Sequence, residues 1–500
     1  MTVNNLLPGR RSAASFPRAL LGLAAAATLA GCSMIPAYER PAAPVATQWP
    51  GPQATATPGI PATPAADLAW QDFVGDAALR ELIRLALAHN RDLRVAALNM
   101  EQVRAAYDIR RADQFPTVNL AATGTRQPKT DGSGAISSAY TAGLSAAAWE
   151  IDFFGRVASL KEAALAQYLA TEEARSAAQI SLVAAVANAW LSLQTNDELL
   201  ALTQRTLATR EDSLRLTQLR LDNGAATALD LRQAESLTAT ARAALAQQQR
   251  LRALDVNALT LLVGQPLSDT LLAAPGAAVR RAAPPQASTG EIQAATGLGA
   301  PFKDVPAGLP SDLLTRRPDI RQAEQQLIAA NANIGAARAA FFPRIALTAG
   351  VGTASSQLSG LFKSGAWGFT LSPQALLPIF DAGRNRANLA SSQAGRDIAV
   401  AQYEKAIQTA FREVADALAG RATLDEQLAA QQAQATAEAD RFRLADLRYR
   451  NGVASSLDLL DAQRALFAAQ QAVAQTRLAA LQNQVALYKV LGGGATPPAP

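Results

Sequence analysis

Several residue types on which enzyme chemistry depends are nearly absent from this sequence. Its 500 residues include one cysteine and one histidine. A zinc site, a disulfide framework or a Cys–His nucleophile pair needs more of these residues than the chain has. A glycine-rich phosphate loop ending in Gly-Lys-Ser or Gly-Lys-Thr is also missing from the sequence. We therefore expect no enzyme activity, no metal and no cofactor.

Aromatic and charged side chains are scarce as well. Aromatic residues make up 5% and charged residues 17% of the chain, whereas 49% is hydrophobic. The mean hydropathy of +0.03 is far from that of a polytopic helical membrane protein. The formal charge is +5, and Arg10, Arg11 and Arg18 contribute three of those positive charges. Because no cluster of Lys and Arg with interleaved aromatics occurs elsewhere, nucleic-acid binding is not expected.

The N-terminus has the pattern of an export signal. A basic, polar stretch precedes the apolar run Ala19–Ala30, which is too short to cross a hydrocarbon core of about 30 Å as a helix. This pattern predicts a signal peptide over residues 1–31. The Leu-Ala-Gly that precedes Cys32 resembles the lipobox of bacterial lipoproteins, and this resemblance implies lipidation of Cys32. Residues 32–66, which are rich in proline, would then form an extended tether.

The chain contains a tandem duplication. The segment Arg215–Gly224 recurs as Arg443–Gly452 at an offset of 228, and the match ends at Gly264 and Gly492. Several motifs that recur in one order at nearly one offset indicate an internal repeat. We assign the first repeat to residues 67–264, a linker or equatorial segment to 265–317, the second repeat to 318–492 and a tail to 493–500.

Both repeats have the same predicted layout of a helix, a strand hairpin, a long helix, a sharp turn and a return helix. A Phe-Pro pair ends the first helical stretch, because proline disfavours helix in its own position and in the one before. Each long helix has no internal proline and would measure about 100 Å at 1.5 Å per residue. The predicted first helices are Asp76–Ala112 and Pro318–Ala340, the hairpins 117–152 and 344–380, the long helices 156–222 and 384–450, and the tip turns 222–228 and 450–456.

The hairpins have the length of strands that cross a membrane, about nine to eleven residues each. Four strands cannot close a barrel, and an open sheet edge is not tolerated in lipid. Closure therefore requires several chains, and three copies would supply twelve strands around a lumen. The fold class predicted is mainly α with a transmembrane β portion.

Motifs in both repeats resemble those of the TolC-like outer membrane factors, in particular the NodT-type lipoproteins that serve resistance-nodulation-division efflux pumps. The motifs are Trp149–Arg156, Leu309–Leu314, Arg316–Ile320 and Pro378–Arg384. The resemblance implies a homotrimer with a twelve-stranded outer-membrane β-barrel that is continuous with a long periplasmic α-helical barrel. It also implies a passive exit duct for small molecules, with a periplasmic adaptor, an inner-membrane pump and outer-membrane lipid as partners.

The same resemblance implies two functional regions near the helix turns. The adaptor would contact the tips at Asn223, Gly224, Asn451 and Gly452. A periplasmic gate would be formed by Leu457, Asp458, Asp461 and Arg464, and crowding of its carboxylates would raise some pKa values. In the first repeat Gln233 and Ser236 stand where Asp461 and Arg464 stand in the second. The alternative interpretation is an ordinary solvated helix face with a local Asp461–Arg464 pair.

Two other functions remain open from the sequence. A type I secretion exit duct would share the duplicated layout, and the lipobox argues against it only moderately. A periplasmic adaptor or coiled-coil scaffold lipoprotein would share the lipobox and the helical hairpins. Such adaptors carry one hairpin and lack a repeated pair of strands.

Overall fold

The computed structural model describes residues 33–50, 64–130, 134–272, 301–306, 308 and 310–494. The predicted signal peptide and Cys32 lie outside the described residues, as do much of the predicted linker and most of the tail. The chain divides into two compact units, which we call the strand unit and the helical unit and describe separately. The strand unit comprises the described residues of Met1–Pro41, Gln102–Leu169 and Gln325–Ala401, and the helical unit those of Ala42–Glu101, Ala170–Glu324 and Gln402–Pro500.

Helices account for most of the described residues. Their bounds are α1 Trp70–Phe73, α2 Ala77–His89, α3 Arg91–Ala112, α4 Arg156–Asp222, α5 Ala228–Val263, α6 Asp269–Leu272, α7 Pro310–Arg316, α8 Pro318–Ala339, α9 Arg384–Arg450 and α10 Ser456–Val490. The long helices α4 and α9 each have 67 residues and begin and end where the sequence predicts.

The first predicted helix, Asp76–Ala112, is wrong as one element, because it breaks at Asn90. The Asn90 backbone is extended, with φ −60° and ψ 132°. Its side-chain amide donates to the carbonyl oxygen of Leu262 at 2.8 Å, and its side-chain oxygen accepts from the Leu93 N–H at 2.8 Å. These bonds offer the backbone an alternative to the helical ladder, which ends α2 and starts α3.

Four antiparallel strands form one sheet in the order β1-β2-β3-β4. Their bounds are β1 Val118–Pro128, β2 Ile136–Ile151, β3 Arg344–Ser355 and β4 Trp367–Leu376. The strands therefore come from both repeats, and the pairing of β2 with β3 joins the two hairpins. A β-carbon added at Gly143 would lie 2.3 Å from the Val351 carbonyl oxygen, so glycine permits the close approach of β2 and β3 there.

The two faces of the sheet differ in polarity. Leu120, Leu144, Val351 and Phe369 are paired in one row across the four strands. Their exposed fractions are 82%, 49%, 38% and 80%, so this apolar row is open to its surroundings. The next row, on the opposite face, consists of Asn119, Ser145, Gly350 and Thr370. Successive side chains of a strand point to opposite faces, and the sheet is apolar on one face and made of small or polar residues on the other.

The described start of the predicted tether is held against the strand unit. Ile35 packs beside Gly335 of α8, where an added β-carbon would lie 2.6 Å from Ile35 Cγ1 and 2.6 Å from Ser159 Oγ. The Asn331 side-chain amide donates to the Pro36 carbonyl oxygen at 2.8 Å. These contacts make residues 33–36 a fixed strap, so the start of the predicted extended tether is held against the strand unit.

The core of the helical unit is built from large side chains between α2, α4, α5 and the C-terminal end of α10. Trp190, Leu193 and Leu259 are almost completely buried. Phe73 stacks on Tyr488 with ring centroids 3.9 Å apart. Within the described residues α4 is the helix long and apolar enough to cross a membrane by length and composition alone. Its apolar stretch includes the buried Trp190 and Leu193, which serve this core.

Candidate functional site at the helix tips

The first helix tip is a tight turn that closes with backbone hydrogen bonds. The Asn223 side-chain amide donates to the Leu219 carbonyl oxygen at 2.7 Å, and the Ala225 N–H donates to the Arg220 carbonyl oxygen at 2.7 Å. Gly224 has φ +72°, a left-handed conformation that glycine adopts without the steric cost of a side chain.

The second tip repeats this geometry. The Asn451 side-chain amide donates to Leu447 at 2.7 Å, and the Val453 N–H donates to Arg448 at 2.9 Å. Gly452 has φ +73°, and an added β-carbon there would meet no atom within 4 Å. The same open space surrounds Gly224. The glycines are therefore needed for backbone conformation, and the space beside both tips is free within the chain.

Each return helix begins with a capping box. The Thr227 hydroxyl accepts from the Asp230 N–H at 3.2 Å, and the Asp230 carboxylate accepts from the Thr227 N–H at 2.9 Å. The corresponding distances between Ser455 and Asp458 are 3.2 and 3.3 Å. Asp458 was expected to belong to the gate, but within the chain its carboxylate caps α10.

A side-chain hydrogen bond joins the two return helices at their starts. The Ser456 hydroxyl donates to the Asp230 carboxylate. This bond, together with those from Thr227, lowers the pKa of Asp230 below its ordinary value. Nearby, the Arg220 guanidinium lies 4.5 Å from the ring centroid of Tyr449, a cation–π contact between α4 and α9. The tips of the two hairpins are thus linked within the helical unit.

Asp461 is the centre of a charged cluster on the second hairpin, which we call the Asp461 cluster. Arg441 of α9 donates to its carboxylate at 2.5 Å, and Arg464 of α10 donates to the other carboxylate oxygen. Arg441 also donates to Glu438 at 3.1 Å. The cluster therefore ties α9 to α10 one or two turns behind the tip, and the predicted Asp461–Arg464 pair is one part of it.

Within the single chain, the Asp461 cluster favours the ionised form of its carboxylate. The hydrogen bond from Arg441, with the charge of Arg464, lowers the pKa of Asp461. The hydrogen bonds that Arg441 donates to Asp461 and Glu438 raise the pKa of its guanidinium. Each arginine stabilises the ionised carboxylate, so Asp461 is charged at neutral pH.

The first hairpin has no counterpart of this cluster at the twin positions, and its helices are joined instead by Arg242 of α5, which binds Glu211 of α4 at 2.8 Å. The twins of Arg441, Asp461 and Arg464 at the offset of 228 are Ser213, Gln233 and Ser236. Leu457 is 59% exposed and its twin Leu229 is 67% exposed, so the leucine does not distinguish the repeats. Sequence reasoning missed Arg441. The signal that could have found it is the difference between the repeats at this position, where the first repeat has Ser213.

Neither the tips nor the cluster has the arrangement of a metal site. Within the described part of the chain no group of three or more His, Cys, Asp or Glu side chains could hold a metal ion. The site consists of sharp open turns, two capped helices and an interhelical ion pair on each hairpin, Arg242–Glu211 on the first and Arg441–Asp461 on the second.

Comparison with known proteins identifies this architecture. The family model described as outer membrane efflux protein matches residues 82–265 and 309–493, one match for each repeat. The probable efflux pump outer membrane protein TtgC of Pseudomonas putida is 48% identical over 484 residues, which cover 95% of this chain and 96% of that protein. The outer membrane protein OprJ of Pseudomonas aeruginosa is 46% identical over 477 residues, 94% of each chain.

A solved structure has the same fold. The crystal structure of the open state of the Neisseria gonorrhoeae MtrE outer membrane channel superposes with a TM-score of 0.80 at 40% identity. The alignment covers 93% of this chain and 99% of that chain. These findings confirm the predicted fold class, the family resemblance and the outer-membrane location. The chain belongs to the outer membrane efflux protein family and is an outer-membrane component of an efflux system.

Proposed function

We propose that three copies of this chain assemble into a passive outer-membrane duct with a twelve-stranded barrel. The observation that carries this proposal is the two-faced sheet, with its exposed apolar row Leu120, Leu144, Val351 and Phe369. Within the described strands, β1 and β4 each pair on one side only. Backbone groups at such edges need partners in lipid, and strands of neighbouring copies supply them. The apolar face then contacts lipid and the polar face lines the lumen.

The tips dock a periplasmic adaptor in this proposal. Both turns expose glycine and asparagine at the ends of helix pairs, and neither Gly224 nor Gly452 has an atom near its β-position. Exposed leucines flank both turns, including Leu219 at 59% and Leu447 at 55% exposed. A sharp tip with apolar flanks suits insertion between the helices of a partner hairpin.

The Asp461 cluster holds the periplasmic entrance in its resting state. The bond from Arg441 to Asp461 joins α9 to α10 on the second hairpin, while the first hairpin has Ser213 and Gln233 at the twin positions. Opening then requires the loss of ion pairs that are partly exposed. Because such pairs contribute little free energy, the docking of an adaptor can supply enough to break them. Leu457 and Asp458 lie one turn closer to the tip and narrow the same passage.

Small molecules delivered by an inner-membrane pump are the cargo in this proposal, and the duct performs no catalytic step itself. The 48% identity to TtgC, a probable efflux pump outer membrane protein, supports this class of system. Lipidation at Cys32 adds an anchor to the inner leaflet of the outer membrane. Replacement of Cys32 by Ala should abolish labelling by a radioactive fatty acid, and label retained in the variant would contradict the anchor.

Purified protein in planar bilayers tests the duct directly. We expect light scattering to give the mass of a trimer in detergent, and recordings to show ion conductance steps without nucleotide. A heat-denatured sample of the same protein is the control. A monomeric protein, or one without conductance steps, would contradict the proposal.

A further inference from the structure

The pairing of the strands places Arg126 on the apolar face of the sheet. Beyond the row of Leu120, two further rows lie on this face, each two residues closer to the hairpin turns. The first consists of Ala122, Ala142, Thr353 and Trp367, and the second of Gly124, Tyr140 and Ser355. Arg126 stands in the row after these, paired with Ser138. Because side chains two residues apart point to the same face, its guanidinium shares the face of Leu120.

The hairpin turns mark the outer end of the sheet. The periplasmic helices α3, α4, α8 and α9 join the strands at the opposite end. Val118 begins β1, and Arg126 follows eight residues later, about 27 Å along the strand at 3.4 Å per residue. A tilted strand of that length nearly crosses the apolar band of a barrel, which is about 25 Å tall. Arg126 therefore lies near the outer edge of this band.

Apolar side chains lie on both sides of Arg126 along its face. On the membrane side, Trp367 is 70% exposed, and the Tyr140 ring covers Gly124, where an added β-carbon would lie 3.1 Å from the ring. Aromatic girdles of this kind mark the membrane interfaces of barrels. Towards the turn, Ile136 is 55% exposed. The guanidinium thus stands at headgroup height between side chains that suit acyl chains.

The outer ends of both hairpins are basic. Residues 124–138 and 353–367 contain Arg126, Lys129 and Lys363 and one acidic residue, Asp131, which lies outside the described residues. Their net charge is +2 in each chain. Arg126 is exposed, and no hydrogen bond or ion pair holds its side chain within the described part of the chain. Its donors are therefore free for an anion from outside the chain.

The loop between β3 and β4 presents a cation beside an exposed ring. The Lys363 N–H donates to the Gly360 carbonyl oxygen at 3.2 Å, and the Ala366 N–H donates to the Lys363 carbonyl oxygen at 3.1 Å. Leu361 is 6% exposed, whereas the next residue, Phe362, is 82% exposed. The backbone bonds and the buried leucine fix the loop, and a positive charge and an apolar surface stand together at its turn.

We propose that this outer end binds lipopolysaccharide, the phosphorylated and multiply acylated glycolipid of the outer leaflet, with Arg126 on a lipid A phosphate. This inference rests on the membrane-spanning trimeric barrel proposed above. A guanidinium binds two phosphate oxygens at once through its planar fork. Lys129 and Lys363 add positive charge at the same end of the sheet. We name the residues of this site the outer rim: Arg126, Lys129, Ile136, Phe362, Lys363 and Trp367.

The chemistry of the outer rim matches a ligand that carries both phosphate and acyl chains. A free phosphate would use the basic residues alone, and a neutral lipid would use the apolar ones alone. Three copies of the rim would surround the outer mouth of the duct. Glycolipids bound there would fix the height of the barrel in the membrane.

Native mass spectrometry of detergent-solubilised trimers titrated with lipid A tests the site. A chelator in the buffer prevents divalent cations from bridging phosphates. We expect wild-type trimers to bind bisphosphorylated lipid A more tightly than the same lipid after removal of its phosphates, and more tightly than phosphatidylglycerol. Arg126→Gln should weaken binding of the phosphorylated lipid about fivefold, and Arg126→Lys should retain most of it.

Gln127→Glu is the matched control. It lowers the charge of the chain by one, as Arg126→Gln does, but the side chain of residue 127 points to the opposite, polar face of the sheet. We expect this variant to bind lipid A as the wild-type protein does. Equal losses from Gln127→Glu and Arg126→Gln would overturn the site, because net charge would then explain both.

The outcomes separate this inference from the proposed function. A preference for the phosphorylated lipid that depends on Arg126 would support the outer rim. If the protein is a conducting trimer but binds both forms of lipid A equally, or if Arg126→Gln binds as the wild type does, this inference alone is overturned. Binding of phosphatidylglycerol as tight as that of lipid A would overturn the assignment to lipopolysaccharide. If the wild-type protein is not a trimer, the proposed function fails and the inference with it.

Discussion

The guanidinium of Arg441 binds the carboxylate of Asp461 across the second hairpin at 2.5 Å. The equivalent residues of the first hairpin are Ser213 and Gln233, which carry no charge. The tandem copies therefore share their length, their turns and their capping boxes, and differ in their interhelical ion pairs, which include Arg242–Glu211 on the first hairpin and Arg441–Asp461 on the second. We interpret this difference as the specialisation of the second hairpin for closing the entrance.

Loss of the Arg441–Asp461 bond should raise the resting conductance. Exposed ion pairs are weak, so Arg441→Ala or Asp461→Ala should increase the open fraction by no more than about fivefold. Single-channel recordings of purified trimers measure this fraction. Ser213→Ala and Gln233→Ala are matched controls on the first hairpin and should leave the open fraction unchanged. Equal effects from both hairpins would contradict a role specific to the second.

The pH dependence of the entrance follows from the lowered pKa of Asp461. A carboxyl whose pKa is lowered in the folded state contributes its stabilisation above its usual pKa of 3.8 and loses it as the pH falls through the lowered value. The resting conductance should therefore be constant from neutral pH down to about pH 4. It should rise only at lower pH, where Asp461 becomes protonated. A rise between pH 6 and pH 5 would instead indicate carboxylates with raised pKa values, the behaviour of a crowded ring.

The tip glycines should tolerate asparagine better than valine. Left-handed backbone costs most residues about 1–2 kcal/mol, and asparagine adopts it more readily than a β-branched residue does. We expect Gly452→Asn to retain drug resistance in a deletion strain and Gly452→Val to lose most of it with trimers intact. Gly395, which also has open space but lacks a positive φ, gives the control Gly395→Ala. Full resistance with Gly452→Val would show that the tip conformation is not needed.

The strap depends on the absence of a side chain at Gly335. An alanine there would meet Ile35 Cγ1 and Ser159 Oγ, each at 2.6 Å, and overpacking of this kind costs about 1–3 kcal/mol. Gly335→Ala should lower the midpoint of thermal unfolding, measured by circular dichroism. Gly335→Ala should lower this midpoint less in the Ile35→Ala background than in the wild-type protein, because the shortened side chain at position 35 removes one of the two close contacts. Unchanged stability of Gly335→Ala would mean that the strap does not occupy this groove.

Local signals in the sequence predict the long elements well. The Asn-Gly turns end α4 and α9 at Asp222 and Arg450 because a left-handed residue stops a helix wherever it occurs. The break at Asn90 was missed because it depends on a bond to Leu262, far along the chain. The strap was missed for the same reason, since Ile35 is held by Gly335 and Ser159. At the candidate site the repeat comparison located Asp461, but its bond to Arg441 required the packing of α9 on α10.

Lysine substitutions on the two faces of β4 test most directly whether this sheet crosses the outer membrane. Phe369 lies on the apolar face and is 80% exposed, and Thr370 is its neighbour on the polar face. A lysine on the lipid face of a barrel costs about 2–4 kcal/mol near the bilayer centre, whereas a lumen position tolerates it. We predict that Phe369→Lys reduces trimers in the outer-membrane fraction severalfold, while Thr370→Lys assembles normally and shifts ion selectivity towards anions. Normal assembly of Phe369→Lys, or equal loss from both variants, would contradict the account.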